Sequence, residues 1–258
     1  MTERILLTGA AGVIGTMLRP RLARPGRTLR LLDIAPLTAG PAEEAVTGSV
    51  SDLDAMVAAS AGVAAVVHLG GLSREAPWAD ILEHNINGTY TVLEAARRAG
   101  VPRVVFASSN HAVGFRPVDE DAGEYLYPRP DTFYGMSKAA GEALGSLYHD
   151  RYGLDVVCLR IGSCFERPQN ERALATWLSP DDCGRLISAA LSVPSPGFRV
   201  VWGISANTRA RWSLAEARAL GYEPADDAEV YAASVPPAAG LEKVYLGGDF
   251  CSPDQDVP

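Results

Sequence analysis

A chain of 258 residues with 47% hydrophobic content has material for one large domain, or for one domain carrying a small lobe. Its formal net charge of −8, without a basic cluster, argues against a nucleic-acid partner. No stretch approaches the roughly 20 apolar residues that cross a bilayer, Met1–Thr8 lacks the apolar core of a secretion signal, and Cys158, Cys164, Cys183 and Cys251 show no disulfide-type spacing, so a cytoplasmic protein without a membrane partner is expected.

In chain order, Ile5–Leu7 reads as a strand and Val13–Ala23 as a helix. Thr28–Leu32 is the next strand, followed by a weak one at Ala45–Thr47, a helix at Leu53–Ala59 and a buried run at Ala64–His68. Ile81–Ala99 reads as a long helix stopped by Gly100 and Pro102. Val104–Ala107, a helix over Thr132–Tyr152 and the strand Val156–Arg160 complete the alternation; Cys158 lies inside that last apolar run and reads as a buried thiol. Continuous apolar strands alternating with helices imply a parallel sheet covered on both faces. The expected fold is therefore α/β, a doubly wound parallel sheet of the Rossmann type, with its ligand crevice at the carboxyl ends of the strands. Beyond residue 160 prolines at 168, 180, 194 and 196 break the pattern, and the tail after Gly240 reads as extended chain. The division expected is a core over 1–160 and a small substrate lobe over 161–258, with a soft boundary.

Gly9-Ala10-Ala11-Gly12-Val13-Ile14-Gly15 follows the first strand and opens the first helix. Glycines there permit a tight turn and a close backbone approach to a pyrophosphate, which the helix N-terminus then attracts. Asp33, closing the second strand eighteen residues after Gly15, is placed to accept hydrogen bonds from the adenosine ribose. A carboxylate at that position would repel a 2′-phosphate, and no Lys or Arg occurs between Arg30 and Arg74. The cofactor expected is NAD.

Tyr134 and Lys138 stand four apart at the start of a helix and share a face. A phenol of pKa near ~10 is a poor base at neutral pH; an adjacent ammonium and the positive nicotinamide would lower it. Ser108-Ser109 closes a buried strand whose end points into the same crevice. With the glycine loop, Ser109, Tyr134 and Lys138 resemble the extended short-chain dehydrogenase/reductase superfamily, as do Asn85-Ile86-Asn87-Gly88-Thr89 and Leu93-Glu94-Ala95-Ala96. The resemblance implies that Tyr134 is the general base, that Lys138 also holds the nicotinamide ribose, and that Ser109 bonds the reacting hydroxyl.

A fold does not choose a substrate. Only ninety-eight residues follow Arg160, little for a pocket that must grip a nucleotide-sugar, so a small free substrate fits better. Ser73, Asn110, His111 and Ser163 stand at expected strand ends, where they suit a polyhydroxylated molecule or serve as turn formers and backbone partners. His68-Leu69-Gly70-Gly71-Leu72-Ser73, Phe106-Ala107-Ser108-Ser109-Asn110-His111 and Arg160-Ile161-Gly162-Ser163-Cys164 are similar to the uronate dehydrogenases, as are Arg172, Thr176-Trp177, Val201-Trp202-Gly203, Ser205-Ala206-Asn207 and Gly247-Gly248. That family oxidises the anomeric carbon of free D-glucuronate and D-galacturonate with NAD. By this resemblance Ser73, Ser109, Asn110, His111 and Ser163 bind the sugar and Arg172 its carboxylate; by charge alone Arg116 and Arg167 are equal candidates. It further implies a cofactor site of Gly9, Gly12, Val13, Ile14, Gly15, Asp33, Ile34, Ser49, Val50, Leu69, Gly70, Gly71, Ser73, Lys138 and Cys164, no metal, and a homo-oligomer formed through the helices at 81–99 and 132–152. Ser49 departs from the pattern, for the family usually carries a carboxylate there against the adenine. The competing readings are a nucleotide-sugar epimerase or dehydratase of the same superfamily, and a non-catalytic NAD sensor, which would not need Ser109, Tyr134 and Lys138 together.

Overall fold

The computed structural model describes residues 3–119 and 126–255. Seven strands form one parallel sheet: β1 (Glu3–Thr8), β2 (Arg27–Asp33), β3 (Glu43–Thr47), β4 (Ala65–His68), β5 (Arg103–Ser109), β6 (Asp155–Ile161) and, after a two-residue ladder of β7 (Ser163–Cys164) with β8 (Trp177–Leu178), β9 (Phe198–Gly203). Their order is β3-β2-β1-β4-β5-β6-β9.

Continuous apolar runs are needed because successive strand residues point to opposite faces and both faces are covered. Ile5 and Leu7 of β1, Val105 of β5, and Val157 and Leu159 of β6 enter one core, with Leu18 and Leu22 of α1 (Val13–Leu22). The next residues along, Leu6, Val104, Phe106, Val156 and Cys158, enter the other. There they meet Met56 of α2 (Leu53–Ser60), and Val92 and Tyr148 of two longer helices described next. The order reverses between β1 and β4, and a doubly wound sheet opens its crevice at such a switch point. This is the Rossmann arrangement. No helix among the described residues is long and apolar enough to cross a membrane.

The segment read as one helix over 81–99 is compound. It comprises α3 (Trp78–Asp80), a π-helical stretch Ile81–Asn87, and α4 (Gly88–Arg98). Its apolar spacing cannot distinguish a widened turn from an α turn, because the widening is rewarded elsewhere. Asn85 clamps the backbone of Leu72, accepting from its N–H at 2.7 Å and donating to its C=O at 3.0 Å. α5 (Phe133–Tyr152) starts where the Thr132 hydroxyl accepts from the Gly135 N–H and stops at Gly153, whose φ of 72° lies in the left-handed region.

Beyond residue 160 come α6 (Ala173–Thr176), α7 (Pro180–Ser192) and α8 (Ala215–Ala219). α7 packs on the face that carries α1, adding Leu186 and Ile187 to that core. The tail after Gly240 is not the extended chain its composition suggests. It forms 3-10 turns at Gly240–Lys243, Gly248–Cys251 and Pro253–Gln255. It is folded back against the loop after β5 by Val118 N–H to Val244 C=O, Leu246 N–H to Arg116 C=O and Gly247 N–H to Gly114 C=O. Those partners lie more than a hundred residues upstream, where local composition carries no signal of them.

Candidate active site

One cleft of about 790 Å³ runs along the carboxyl ends of the strands. Of the residues assigned to the site by resemblance, all line it except Asn110.

At its dinucleotide end the backbone does most of the shaping. Gly9 has φ +68°, and a Cβ on it would come to 2.8 Å from the Leu69–Gly70 backbone. The N-terminus of α1 carries no side-chain cap, so Val13, Ile14 and Gly15 present a bare first turn to the cleft. Asp33 ties the turn together, accepting from Ala11 N–H at 2.9 Å and Ala35 N–H at 3.0 Å. Ile34 is 74% exposed on the rim, as a side chain kept free to cover a planar ligand would be. Ser49 lines this end while its hydroxyl accepts from Ser51 N–H. A glycine-walled groove with an uncapped helix start and the Asp33 carboxylate in its lining fits a dinucleotide.

The loop beneath, Leu69–Ser73, is held by a chain of neutral hydrogen bonds. Gly70 N–H donates to the Thr8 hydroxyl, which is 2.8 Å from His68 Nδ1; His68 Nε2 meets the Thr89 hydroxyl, and that hydroxyl donates to Asn85 C=O. Burial, with the charge of Lys138 adding to it, pushes His68 down to about 3, so it is a neutral structural residue.

In the middle of the cleft the Tyr134 hydroxyl bonds Ser109. Lys138 Nζ donates to Ala107 C=O at 2.9 Å and lies 5.6 Å from the centre of the Tyr134 ring. Burial pushes the phenol up to about 12; the Ser109 hydrogen bond opposes this and the charge of Asp131 adds to it. Burial also pulls the Lys138 ammonium down to about 8. The lowering of Tyr134 expected from Lys138 therefore does not emerge among the protein's own groups, where loss of water outweighs it.

At the far end stand His111, Ser163, Arg172 and Phe250. Arg172 donates through both Nε and Nη2 to Leu246 C=O. Burial holds its guanidinium below the ordinary arginine value, against the pull of Glu242, Asp131 and Asp249. The Ser163 hydroxyl is shared with that of Thr176 at 2.8 Å. Ser73 sits exposed on the cleft wall. Asn110 is turned away: its amide donates to Leu246 C=O, and its Oδ1 has no partner among the described residues. Neither Arg116 nor Arg167 lines the cleft.

Sequence reading missed four contributors. Phe250 stacks on His111 at 4.0 Å, and Asp131 bonds the same imidazole at 2.6 Å. Glu75 accepts from the N–H groups of Phe133 and Tyr134, fixing the start of α5. Behind the site, buried Glu142 takes Ser108 Oγ and both Nε and Nη2 of Arg160, locking α5 to β5 and β6. Asp131 and Glu142 were findable in principle, being three before Tyr134 and one turn after Lys138; Phe250 and Glu75 had no local signal.

Residues 5–179 match the model of the NAD dependent epimerase/dehydratase family. A uronate dehydrogenase of Pseudomonas putida is 46% identical over 255 residues, covering 96% of this chain and 95% of that protein. Among solved structures, a variant of uronate dehydrogenase from Agrobacterium tumefaciens complexed with NAD superposes with a TM-score of 0.92 at 43% identity, covering 96% of this chain and 97% of that one. Glucuronic acid dehydrogenase from Chromohalobacter salexigens gives 0.93 at 40% identity, with 97% of each chain covered.

Proposed function

The chain is an NAD-dependent oxidoreductase that belongs to the uronate dehydrogenases of the NAD dependent epimerase/dehydratase family, and from that premise we propose that it oxidises the anomeric carbon of free hexuronates, D-glucuronate and D-galacturonate, to the 1,5-lactone. One observation carries the reading. A desolvated guanidinium, Arg172, stands in the same cleft as the Tyr134–Ser109 pair, at the end away from the dinucleotide groove. A half-buried, partly dehydrated cation calls for an anion, and a guanidinium fork suits a carboxylate. A free sugar acid offers that carboxylate and an oxidisable anomeric hydroxyl at opposite ends of one ring.

In this mechanism Arg172 and His111 hold the sugar while Ser109 bonds the anomeric hydroxyl. Tyr134, as phenolate, takes that hydroxyl's proton. The ring oxygen keeps its place, so the oxidised sugar leaves as a six-membered lactone. Bound NAD supplies the hydride acceptor and, in its oxidised form, a positive charge. Gly9–Gly15, Asp33, Ser49, Gly70 and Lys138 are the residues that would hold it. Because burial, with Asp131 adding to it and Ser109 opposing, sets Tyr134 near 12, that added positive charge favours the phenolate at working pH. Lys138, held by its hydrogen bond to Ala107 C=O, lies 5.6 Å from the centre of the Tyr134 ring, where its positive charge compensates the phenolate.

The test is to mix the protein with NAD and each uronate and follow the NADH absorbance band. Sustained NADH formation with lactone as the first product is expected. Interconversion of a nucleotide-sugar without net NADH would instead identify an epimerase.

A further inference from the structure

We propose that Asp131 is a positioning residue for this oxidation: it fixes His111 as the neutral Nδ1–H tautomer, so that Nε2 faces the sugar as a hydrogen-bond acceptor. The inference rests on the uronate reading for its substrate, but its geometry stands alone. Asp131 Oδ2 lies 2.6 Å from His111 Nδ1, and its side chain has 0% exposure. Its other oxygen accepts from the Thr132 hydroxyl at 2.9 Å. The imidazole is then gripped on two further sides, by Phe250 stacked at 4.0 Å and by the Tyr134 ring at 5.8 Å. Nδ1 is spent on Asp131, and Nε2 is what remains for the cleft.

The surrounding chain is built around this carboxylate. Gly114 follows β5, and Gly247 belongs to the folded-back tail. A Cβ on either would come closer than 3.0 Å to the Asp131 carboxylate, where real side chains do not sit. Their φ values of −59° and −73° suit any residue, so space and not backbone conformation selects glycine at both. Two segments far apart in sequence thus leave room for the same two oxygens.

The geometry at Nδ1 asks for a donor, which a neutral imidazole can supply. Asp131 stands just ahead of the N-terminus of α5, whose dipole favours an anion, and its charge acts on the Arg172 guanidinium in the same region. The carboxylate accepts at its other oxygen from Thr132, and Nδ1–H supplies the donor it faces on the His111 side. Nε2 then accepts from a sugar hydroxyl and discriminates against a ring position that has none.

Two measurements test this. Nitrogen NMR of the intact protein, which has four histidines, is expected to give His111 a protonated Nδ1 and an unprotonated Nε2 near neutral pH; an imidazolium or an Nε2–H tautomer would overturn the proposal without any substrate present. In kinetics, Asp131→Ala is expected to raise KM for glucuronate at least ~10-fold, the scale for one unpaired buried polar group. Asp131→Asn should recover part of that loss, and the Kd for NAD should stay unchanged. In a His111→Ala background, Asp131→Ala should add less than about twofold, since it acts through the ring. Equal losses in both backgrounds would show that Asp131 serves folding or Arg172 instead. If the parent protein itself forms no NADH from any uronate, the functional reading fails and the NMR result still decides the tautomer.

Discussion

At the dinucleotide end of the cleft the ligand-facing surface is mostly backbone, from the turn at Gly9–Gly15, the bare start of α1 and the loop at Leu69–Gly71, steadied by Asp33. At the sugar end it is side chain: His111 from the loop after β5, Tyr134 from α5, Ser163 from β7, Arg172 before α6 and Phe250 from the tail. A backbone surface tolerates change in side chains so long as its glycines remain. A side-chain surface shifts with each residue and depends on contacts across the chain, as Leu246 C=O does in accepting from both Asn110 and Arg172. The first kind of site suits a cofactor shared across a family; the second suits a substrate that varies within it.

Tyr134 belongs to both ends, and its loss should produce the largest effect. Tyr134→Phe removes the proton acceptor and keeps the ring against His111, so turnover should fall by about 10²–10⁴-fold, with NAD affinity intact. Stopped-flow NADH formation and a separate NAD titration read the two. A variant with near-parental turnover would remove Tyr134 from the role of base.

Arg172→Ala addresses the sugar end alone. Hydrogen bonds to a charged partner contribute ~1.5–3 kcal/mol, so KM for glucuronate should rise by roughly 10–100-fold. An uncharged hexose should be affected far less, if it is turned over at all. An unchanged KM for glucuronate would move the carboxylate site elsewhere.

The same contrast governs what could be read from the chain. The dinucleotide end is written in nearly consecutive residues, so spacing singled out Gly9, Gly12, Gly15 and Asp33, which line the cleft, and the alternating apolar runs pointed to the sheet. The sugar end is written across separations such as 20 residues between His111 and Asp131 and 136 between Asn110 and Leu246. From the residues alone Arg116, Arg167 and Arg172 were equivalent, and only resemblance separated them. Burial was also invisible: Lys138 in sequence is simply a cation near a phenol, whereas in the fold dehydration shifts both groups against catalysis.

That dehydration has a measurable cost. Lys138 sits near 8 against an ordinary value of 10.5. Between those values the unfolded chain binds the proton and the folded one does not, so stability falls as pH drops through that window. Below it the penalty is roughly 3 kcal/mol at about 1.4 kcal/mol per unit, offset by about 1 kcal/mol from the Ala107 hydrogen bond. Lys138→Met is thus expected to be more stable than the parent by about 2 kcal/mol at neutral pH, while losing activity. Urea unfolding should show the gap closing towards pH 10.5. A less stable Met variant at neutral pH would mean that the hydrogen bond outweighs desolvation.

The smallest effect is expected from strengthening the dinucleotide end. Ser49 stands where the family usually carries a carboxylate against the adenine, and its hydroxyl already accepts from Ser51 N–H at 3.2 Å. Aspartate supports the same local turn, since its side chain readily accepts from the backbone two residues on. It would bring a second, charged oxygen to accept from the adenine amino group. Replacing a neutral acceptor with a charged one gains at most about 1 kcal/mol, or roughly fivefold in affinity. The new charge also lies near Asp33 and the pyrophosphate groove, and that repulsion trims the gain. Ser49→Asp should therefore lower the Kd for NAD by two- to fivefold, on the scale of one hydrogen bond, as read by calorimetry. KM for glucuronate should not move, because Ser49 follows β3 at the dinucleotide end, whereas His111, Ser163 and Arg172 come from other segments of the chain. If both constants shift together, the two ends are mechanically coupled through Leu69–Ser73, and the division between a backbone-built and a side-chain-built site would have to be redrawn at that loop.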